Sequence, residues 1–211
     1  QGVKFYFNQK VTEILHTKNK VTAVMVNKQK LLADVIVSNM DIFPTYRFLL
    51  PKAKAPEKIL AQERSSSAVI FYWGIQKQFP ALDLHNIFFS EDYQAEFNAI
   101  FNEHTLYDDP TIYVNITAKD VPSDAPKGCE NWFVMINTPA DYEQDWETDI
   151  VSLRTKVLDK LEKRLNTSIR SHIVTEEVLT PPMIETKTQS HLGALYGASS
   201  NNKMAAFWRH P

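Results

Sequence analysis

The stretch Ala68-Val69-Ile70-Phe71-Tyr72-Trp73-Gly74-Ile75 is the longest uninterrupted apolar run in the chain. It is far short of the roughly 20 residues needed to cross a bilayer. Its β-branched and aromatic residues are those that fill strands, and the run predicts a strand over Ser66 to Ile75. Alternate residues on a strand face opposite sides. Phe71 and Trp73 therefore share one face, and Ile70 and Tyr72 the other. An amphipathic helix covers one face of such a strand, which leaves the second face for function.

The residues around this run predict the remaining layers. His85 to Ser90, Thr111 to Thr117, Asn131 to Asn137 and Ser168 to Val178 read as further strands. Glu91 to Phe101 reads as a helix capped by Ser90, with Tyr93, Phe97, Ile100 and Phe101 on one face. Thr148 to Leu165 is the clearest helix, capped by Thr148. Ile150, Leu153, Val157, Leu158, Leu161 and Leu165 make its apolar stripe. The expected fold class is α+β, a mostly antiparallel sheet flanked by helices.

The first fifty residues differ in character. Val3 to Phe7, Val11 to Leu15 and Val21 to Val26 read as short strands, with a bend in register between Val11 and Ile14. Turns are expected at Lys18 to Lys20 and Asn27 to Lys30. Ala33 to Asn39 is a continuous apolar run ending in small polar residues, and reads as a strand buried on both faces. A short helix with Pro44 in its first turn is expected from Asp41 to Leu50, stopped by Pro51. Lys52 to Pro56 reads as a domain boundary.

Composition narrows the function classes. The chain has 211 residues, 44% hydrophobic and 23% charged, with a formal net charge of −2. That balance gives no basic surface for nucleic acid. One cysteine, Cys129, allows no internal disulfide. The six histidines have no metal-binding spacing, so no metal is expected. Asp108-Asp109-Pro110 reads as a turn. No G-x-G-x-x-G or phosphate-loop motif occurs. The aromatic residues are dense between Phe71 and Tyr113, which fits either an aromatic core or the wall of an apolar pocket. Phe71 and Trp73 are assigned to a channel wall, because Ile70 and Tyr72 mix aliphatic and aromatic groups as a packed core does.

Four segments carry a family resemblance: LADVIVSNMDIFPTYRFLLP (Leu32 to Pro51), HNIFFSEDYQAEFNAIF (His85 to Phe101), DDPTIYVNITAKDVPSDAPKGCENWFVMINTP (Asp108 to Pro139) and GALYGASSNNKMAAFWRHP (Gly193 to Pro211). In that order they resemble the bacterial carotenoid (phytoene) desaturases, a family of FAD-dependent oxidoreductases. The resemblance implies an internal piece of a longer enzyme. Residues 1–51 would be strands of an incomplete Rossmann-like FAD domain, 57–190 the substrate-binding domain, and 191–211 a return toward the FAD domain.

The implied reaction is dehydrogenation of a long polyene such as phytoene, with flavin taking the hydride. A carotenoid isomerase, a hydroxycarotenoid desaturase and a non-catalytic lipid-binding module are the alternatives. The resemblance assigns Val11 to adenine contact and Ser38, Asn39 and Asp41 to the flavin edge. Met40 stands where the motif commonly has Ala. No catalytic side chain is assigned. FAD is expected in the intact protein and none on this piece alone. The resemblance also implies a cytoplasmic protein held peripherally on a membrane, where its polyene substrate resides.

Overall fold

The computed structural model describes residues 2–18, 20–199 and 201. The end of the chain from residue 202 lies outside the described residues, including the Phe207-Trp208 part of the return segment. Two sheets are present among the described residues. The first has order β1-β2-β3, from strands Val11–Thr17, Lys20–Val26 and Gln29–Leu32. The second has order β5-β6-β7-β4-β8, from Ser67–Ile75 (β4), His85–Phe88 (β5), Ile112–Asn115 (β6), Glu130–Thr138 (β7) and Ile173–Leu179 (β8). All four neighbouring pairs of the second sheet are antiparallel. This is the expected α+β class.

The apolar run of β4 sits between β7 and β8, and its register with β7 is unbroken from Ser67↔Thr138 to Ile75↔Glu130. Helix α4 (Trp146–Leu165) lies on one face of the sheet. Its Leu153, Val157, Leu158 and Leu161 are buried against Val69, Phe71, Trp73, Val134 and Ile136. The face assignment read from the sequence is therefore reversed. Phe71 and Trp73, expected to line a channel, are 0% and 1% exposed in the helix-covered core. Tyr72, 43% exposed, belongs to the open face. The alternation was right, but it cannot say which face a helix far along the chain will cover.

A buried carboxylate braces one end of this core. Glu130 accepts from the Phe79 N–H at 2.9 Å and the Trp132 indole N–H at 2.8 Å. It also pairs with Lys119 Nζ at 2.7 Å. Every one of these partners is a donor, so the charge is buried at small cost.

Local capping differs from expectation in two helices. Asp92, not Ser90, caps α3 (Tyr93–Asn98), accepting from the Ala95 N–H. The Ser90 N–H is held by Thr111 Oγ1 and the Glu91 N–H by Asp109, contacts outside the helix that leave Asp92 as its first capping residue. Tyr93 is exposed, while the buried residues of this segment are Glu96, Ala99 and Ile100. In α4 the cap is Asp145, which accepts from both the N–H and the hydroxyl of Thr148. An ionised carboxylate three residues earlier outcompetes a hydroxyl as acceptor. Helix α5 (Pro181–Thr188) was not anticipated; two prolines open it, at positions whose N–H groups need no intrahelical partner.

In the first fifty residues, two expected strands are absent. Residues 3–7 and 33–39 form no strand, and Val3, Phe7, Val35 and Val37 are exposed. β-rich composition makes a strand only where a neighbour completes the ladder, and the last ladder-like bond here is Ala33 N–H to Thr22 C=O. The expected bend in β1 is present as a register shift between Val11 and Glu13. Asn27 and Lys28 both take positive φ, the tight hairpin geometry that matches strand twist. Asp41 caps the short helix α1 (Ile42–Pro44), which widens into a π-helical turn over Thr45–Leu49.

Leu158→Asp should lower stability by about 3–5 kcal/mol, the scale of an unpaired buried charge. Val151→Asp on the exposed side of the same helix should stay within about 0.5 kcal/mol. Urea unfolding of the two variants checks the face of α4.

Candidate functional site

Two clefts flank the segment Ser38–Met40. The larger, about 800 Å³, is lined by Val11, Ile14, Val24, Val37, Ser38 and Asn39 among others. The smaller, about 340 Å³, lies between Ser38–Ile42 and Leu195–Ala198. Val11, Ser38 and Asn39, assigned from the sequence to cofactor contact, thus come together in one apolar cleft. Its volume lies in the range of small-molecule sites.

Asp41, the fourth residue so assigned, borders the smaller cleft, and its carboxylate is already engaged. It accepts from the Phe43 N–H at 2.9 Å and from the His191 N–H at 3.3 Å, and forms an ion pair with Arg64. The two side chains of that pair are 7% and 3% exposed. Arg64 Nε and Nη1 have no hydrogen-bond partner among the described residues. The His191 ring stacks on Phe43, centroids 3.5 Å apart.

The return segment lies along the entry to β4. Leu195 N–H bonds to Ser66 C=O, Ser65 N–H to Gly197 C=O, and Ser67 Oγ to Gly193 C=O at 2.6 Å. Gly193 has φ +65, and a Cβ there would sit 2.3 Å from the Pro181 carbonyl oxygen. Only glycine fits that approach.

Sequence reading missed Arg64 and treated His191 only as a failed metal ligand. The signal was weak, because Arg64 and Asp41 are 23 residues apart, with a boundary-like stretch between them. A lone arginine before a strand does not reveal a buried partner.

The second candidate surface is the open face of the five-stranded sheet. One cross-strand row is Ile87, Tyr113, Met135 and Ile70; the next is His85, Asn115, Phe133 and Tyr72. Phe133 meets Tyr72 edge-on at 5.6 Å and Tyr113 edge-on at 6.2 Å. Tyr113 Oη lies 2.7 Å from His85 Nδ1. The face is aromatic and apolar, with polar groups at its β5–β6 corner.

The chain is 60% identical over 210 residues to a 1-hydroxycarotenoid 3,4-desaturase from Flavobacterium sp. (strain P99-3), covering 100% of this chain and 43% of that protein. The chain is a homologue of the carotenoid desaturases. It is also 37% identical over 207 residues to a 4,4'-diaponeurosporene oxygenase from Staphylococcus aureus (strain bovine RF122 / ET3-1), covering 96% of this chain and 42% of that protein. This desaturase homologue thus spans less than half the length of the curated relatives it matches. Its fold resembles the crystal structure of an oxidoreductase from Methanosarcina mazei, with a TM-score of 0.51 at 13% identity, over 82% of this chain and 36% of that one. No protein-family model matches the chain.

Asp41→Ala should cost about 3–5 kcal/mol, because it strands a buried guanidinium. The double variant Asp41→Ala/Arg64→Met should recover much of that loss, as measured in a double-mutant cycle by urea unfolding. His191 titrates below its ordinary value, because burial and the Arg64 charge disfavour the imidazolium. A lowered folded value means that its contribution is whole above the unfolded value of about 6.5, and is lost as pH falls through the folded value. His191→Gln should flatten the decline in urea midpoint between about pH 7.5 and about pH 5.

Proposed function

We propose that the protein carrying this chain is a flavin-dependent carotenoid desaturase whose substrate bears a terminal hydroxyl, in preference to phytoene. The observation that carries this reading is 60% identity, along the whole chain, with a 1-hydroxycarotenoid 3,4-desaturase. The open aromatic sheet face supports it, since a long polyene needs an extended apolar wall and little hydrogen bonding.

FAD is part of this proposal. The large cleft fits a flat ring system: its lining is mostly apolar, with Lys10, Thr12, Ser38, Asn39 and Gln189 as its polar residues. It does not fit the pyrophosphate, because no glycine-rich turn lines it. Val11, Ser38 and Asn39 would hold the ring portion of the cofactor. Asp41 would act behind them, fixing the start of α1 and so the position of the Ser38–Asn39 wall. When bound, the flavin supplies the hydride acceptor for breaking the C–H bonds. Residues 57–190 would form the substrate-binding unit, with Tyr72, Tyr113 and Phe133 as its wall in place of Phe71 and Trp73. Excluding water from the polyene is the service these side chains provide; none is a proton donor or acceptor in a step.

The substrate dissolves in membranes, so the intact protein would meet it by peripheral contact at a bilayer surface. No helix among the described residues is long and apolar enough to cross a membrane.

The test is the full-length protein with FAD and a 1-hydroxylated acyclic carotenoid in liposomes. Lengthening of the conjugated system should shift the absorption maximum to longer wavelength. Turnover of phytoene in preference to the hydroxylated substrate would overturn the preference, and turnover of neither would overturn the desaturase reading. In the same assay Phe133→Ala should lower turnover while costing less than about 2 kcal/mol of stability, below the loss for a fully buried ring. The 211-residue chain by itself should lose FAD on a desalting column, because its cleft lacks an anion cradle. Stoichiometric yellow protein in the eluate would contradict that.

A further inference from the structure

We propose that Phe89, together with Tyr93 and Phe97 of α3, is a membrane-docking surface that seats in the interfacial layer of a zwitterionic lipid bilayer, at the margin of the open sheet face. The proposal rests on the carotenoid reading above and locates the surface through which a membrane-dissolved substrate would be met.

An ordinary surface helix turns its apolar stripe to the core and its polar side to water. Helix α3 does the reverse. Its buried member is a carboxylate: Glu96 is 3% exposed and accepts from both the N–H and the hydroxyl of Thr111, each at 2.6 Å. Its rings lie outside. Tyr93 is 59% exposed, and Phe97, one turn on, is exposed as well. Their ring centroids are 6.4 Å apart, and Phe97 packs at 4.4 Å on Phe101 of the π-helical turn Ala99–Glu103. Phe101 is half-buried, so the row is anchored at one end and open at the other. Glu96 holds the helix in this orientation although it leaves two rings in water, an arrangement that an apolar medium outside would stabilise.

Position and charge name the partner. Burial alternates from Thr111 to Ile116, with Ile112, Val114 and Ile116 buried, so Thr111 shares the open face with Tyr113 and Asn115. Glu96 thus fastens α3 at the margin of the aromatic wall. Strand β5 reaches the same margin: Ile87 stands opposite Tyr113, and Phe89, two residues on, is 61% exposed. An apolar surface therefore leads from the wall to Phe89 and the rings of α3. No lysine or arginine occurs from residue 78 to residue 118. Lys156 and Lys160, which reach in from α4, are paired with Asp108 and Asp109. Glu91 and Glu103, close in sequence to the rings, are exposed. An anionic headgroup or an acidic protein finds no free cation in this segment, whereas a zwitterionic interface takes up tyrosine and phenylalanine rings without one. Continuity with a wall for a membrane-dissolved polyene favours lipid over a protein partner.

Flotation of the full-length protein with carotenoid-free phosphatidylcholine liposomes measures the docking. The double variant Phe89→Ser/Tyr93→Ser should lower the bound-to-free ratio by about tenfold or more. The loss should be the same at low and at high salt, since no charge takes part. Val174→Ser, which trims an exposed valine on the edge strand β8 across the sheet, should leave the ratio unchanged. Tyr93→Trp is a milder change that keeps an interfacial ring, and should bind at least as well as wild type. An unchanged ratio in the double variant, an equal loss in Val174→Ser, or weaker binding by Tyr93→Trp would overturn the assignment. So would a large fall in the urea midpoint of the double variant with liposome binding per folded molecule intact, because the rest of the chain would then cover the rings. Dissociation of a wild-type dimer with liposome binding intact would give the rings to a second copy and overturn it too. Binding is read without substrate, so the two readings fail separately. An undiminished ratio in the double variant beside a wild type that desaturates its carotenoid overturns the surface alone; absence of turnover beside the expected loss of binding overturns the carotenoid reading and supports the surface.

Discussion

Asp41 takes the Arg64 guanidinium, the Phe43 amide and the His191 amide on one carboxylate. The three donors come from the first helix, the approach to the central strand, and the return segment. The return segment and the approach to the strand are also joined by backbone hydrogen bonds, Leu195 N–H to Ser66 C=O and Ser65 N–H to Gly197 C=O, but the carboxylate ties both to the first helix. The pair is nearly sealed from water, and Arg64 leaves two N–H groups unpartnered among the described residues. Burial on those terms costs desolvation that the attraction does not clearly exceed. What the arrangement supplies is position: a charged pair in low dielectric tolerates little displacement. Both clefts border the Ser38–Met40 segment immediately before Asp41, so their shape follows from where that carboxylate is held.

The five-stranded sheet solves a different problem. One face buries Phe71 and Trp73 under α4, and hydrophobic burial there supplies most of the driving force for this layer. The opposite face keeps Tyr72, Phe133, Tyr113 and Ile87 at least partly open. Such a face is costly unless something apolar meets it. On the proposed reading, that apolar partner is a long polyene lying along the aromatic wall. Charged links such as Arg154–Glu176 and Lys160–Asp109 sit around α4, tying it to β8 and to the Asp108–Pro110 turn.

Much of this was legible in the sequence, and for local reasons. Period-two alternation announced the strands of the second sheet, and the 3–4 spacing from Ile150 to Leu165 announced α4 with its buried stripe. The register bend between Val11 and Ile14, the hairpin at Asn27 and the short helix after Asp41 are also local events, set by a few adjacent residues. The four resemblance-bearing segments pointed to carotenoid desaturases before any contact was known. Among the assigned residues, Val11, Ser38 and Asn39 do meet in one cleft.

What failed was whatever depends on a distant partner. Residues 33–39 have strand composition and no strand, because a ladder needs a neighbour and none of the described residues provides one. Ser90 and Thr148 yielded their caps to Asp92 and Asp145, since competing acceptors decide where a helix begins. The two faces of β4 are both apolar, so nothing within Ala68 to Ile75 distinguishes them. Only the docking of α4, more than seventy residues later in the chain, buried Phe71 and left Tyr72 open. The sequence by itself determined the elements, the class and the family likeness, because those are written in short-range periodicity and in segments that can be matched. The tertiary structure alone decided which face is core, that Asp41 holds Arg64, and that His85 meets Tyr113 and Asn115, because each is a contact between residues whose spacing along the chain carries no trace of it.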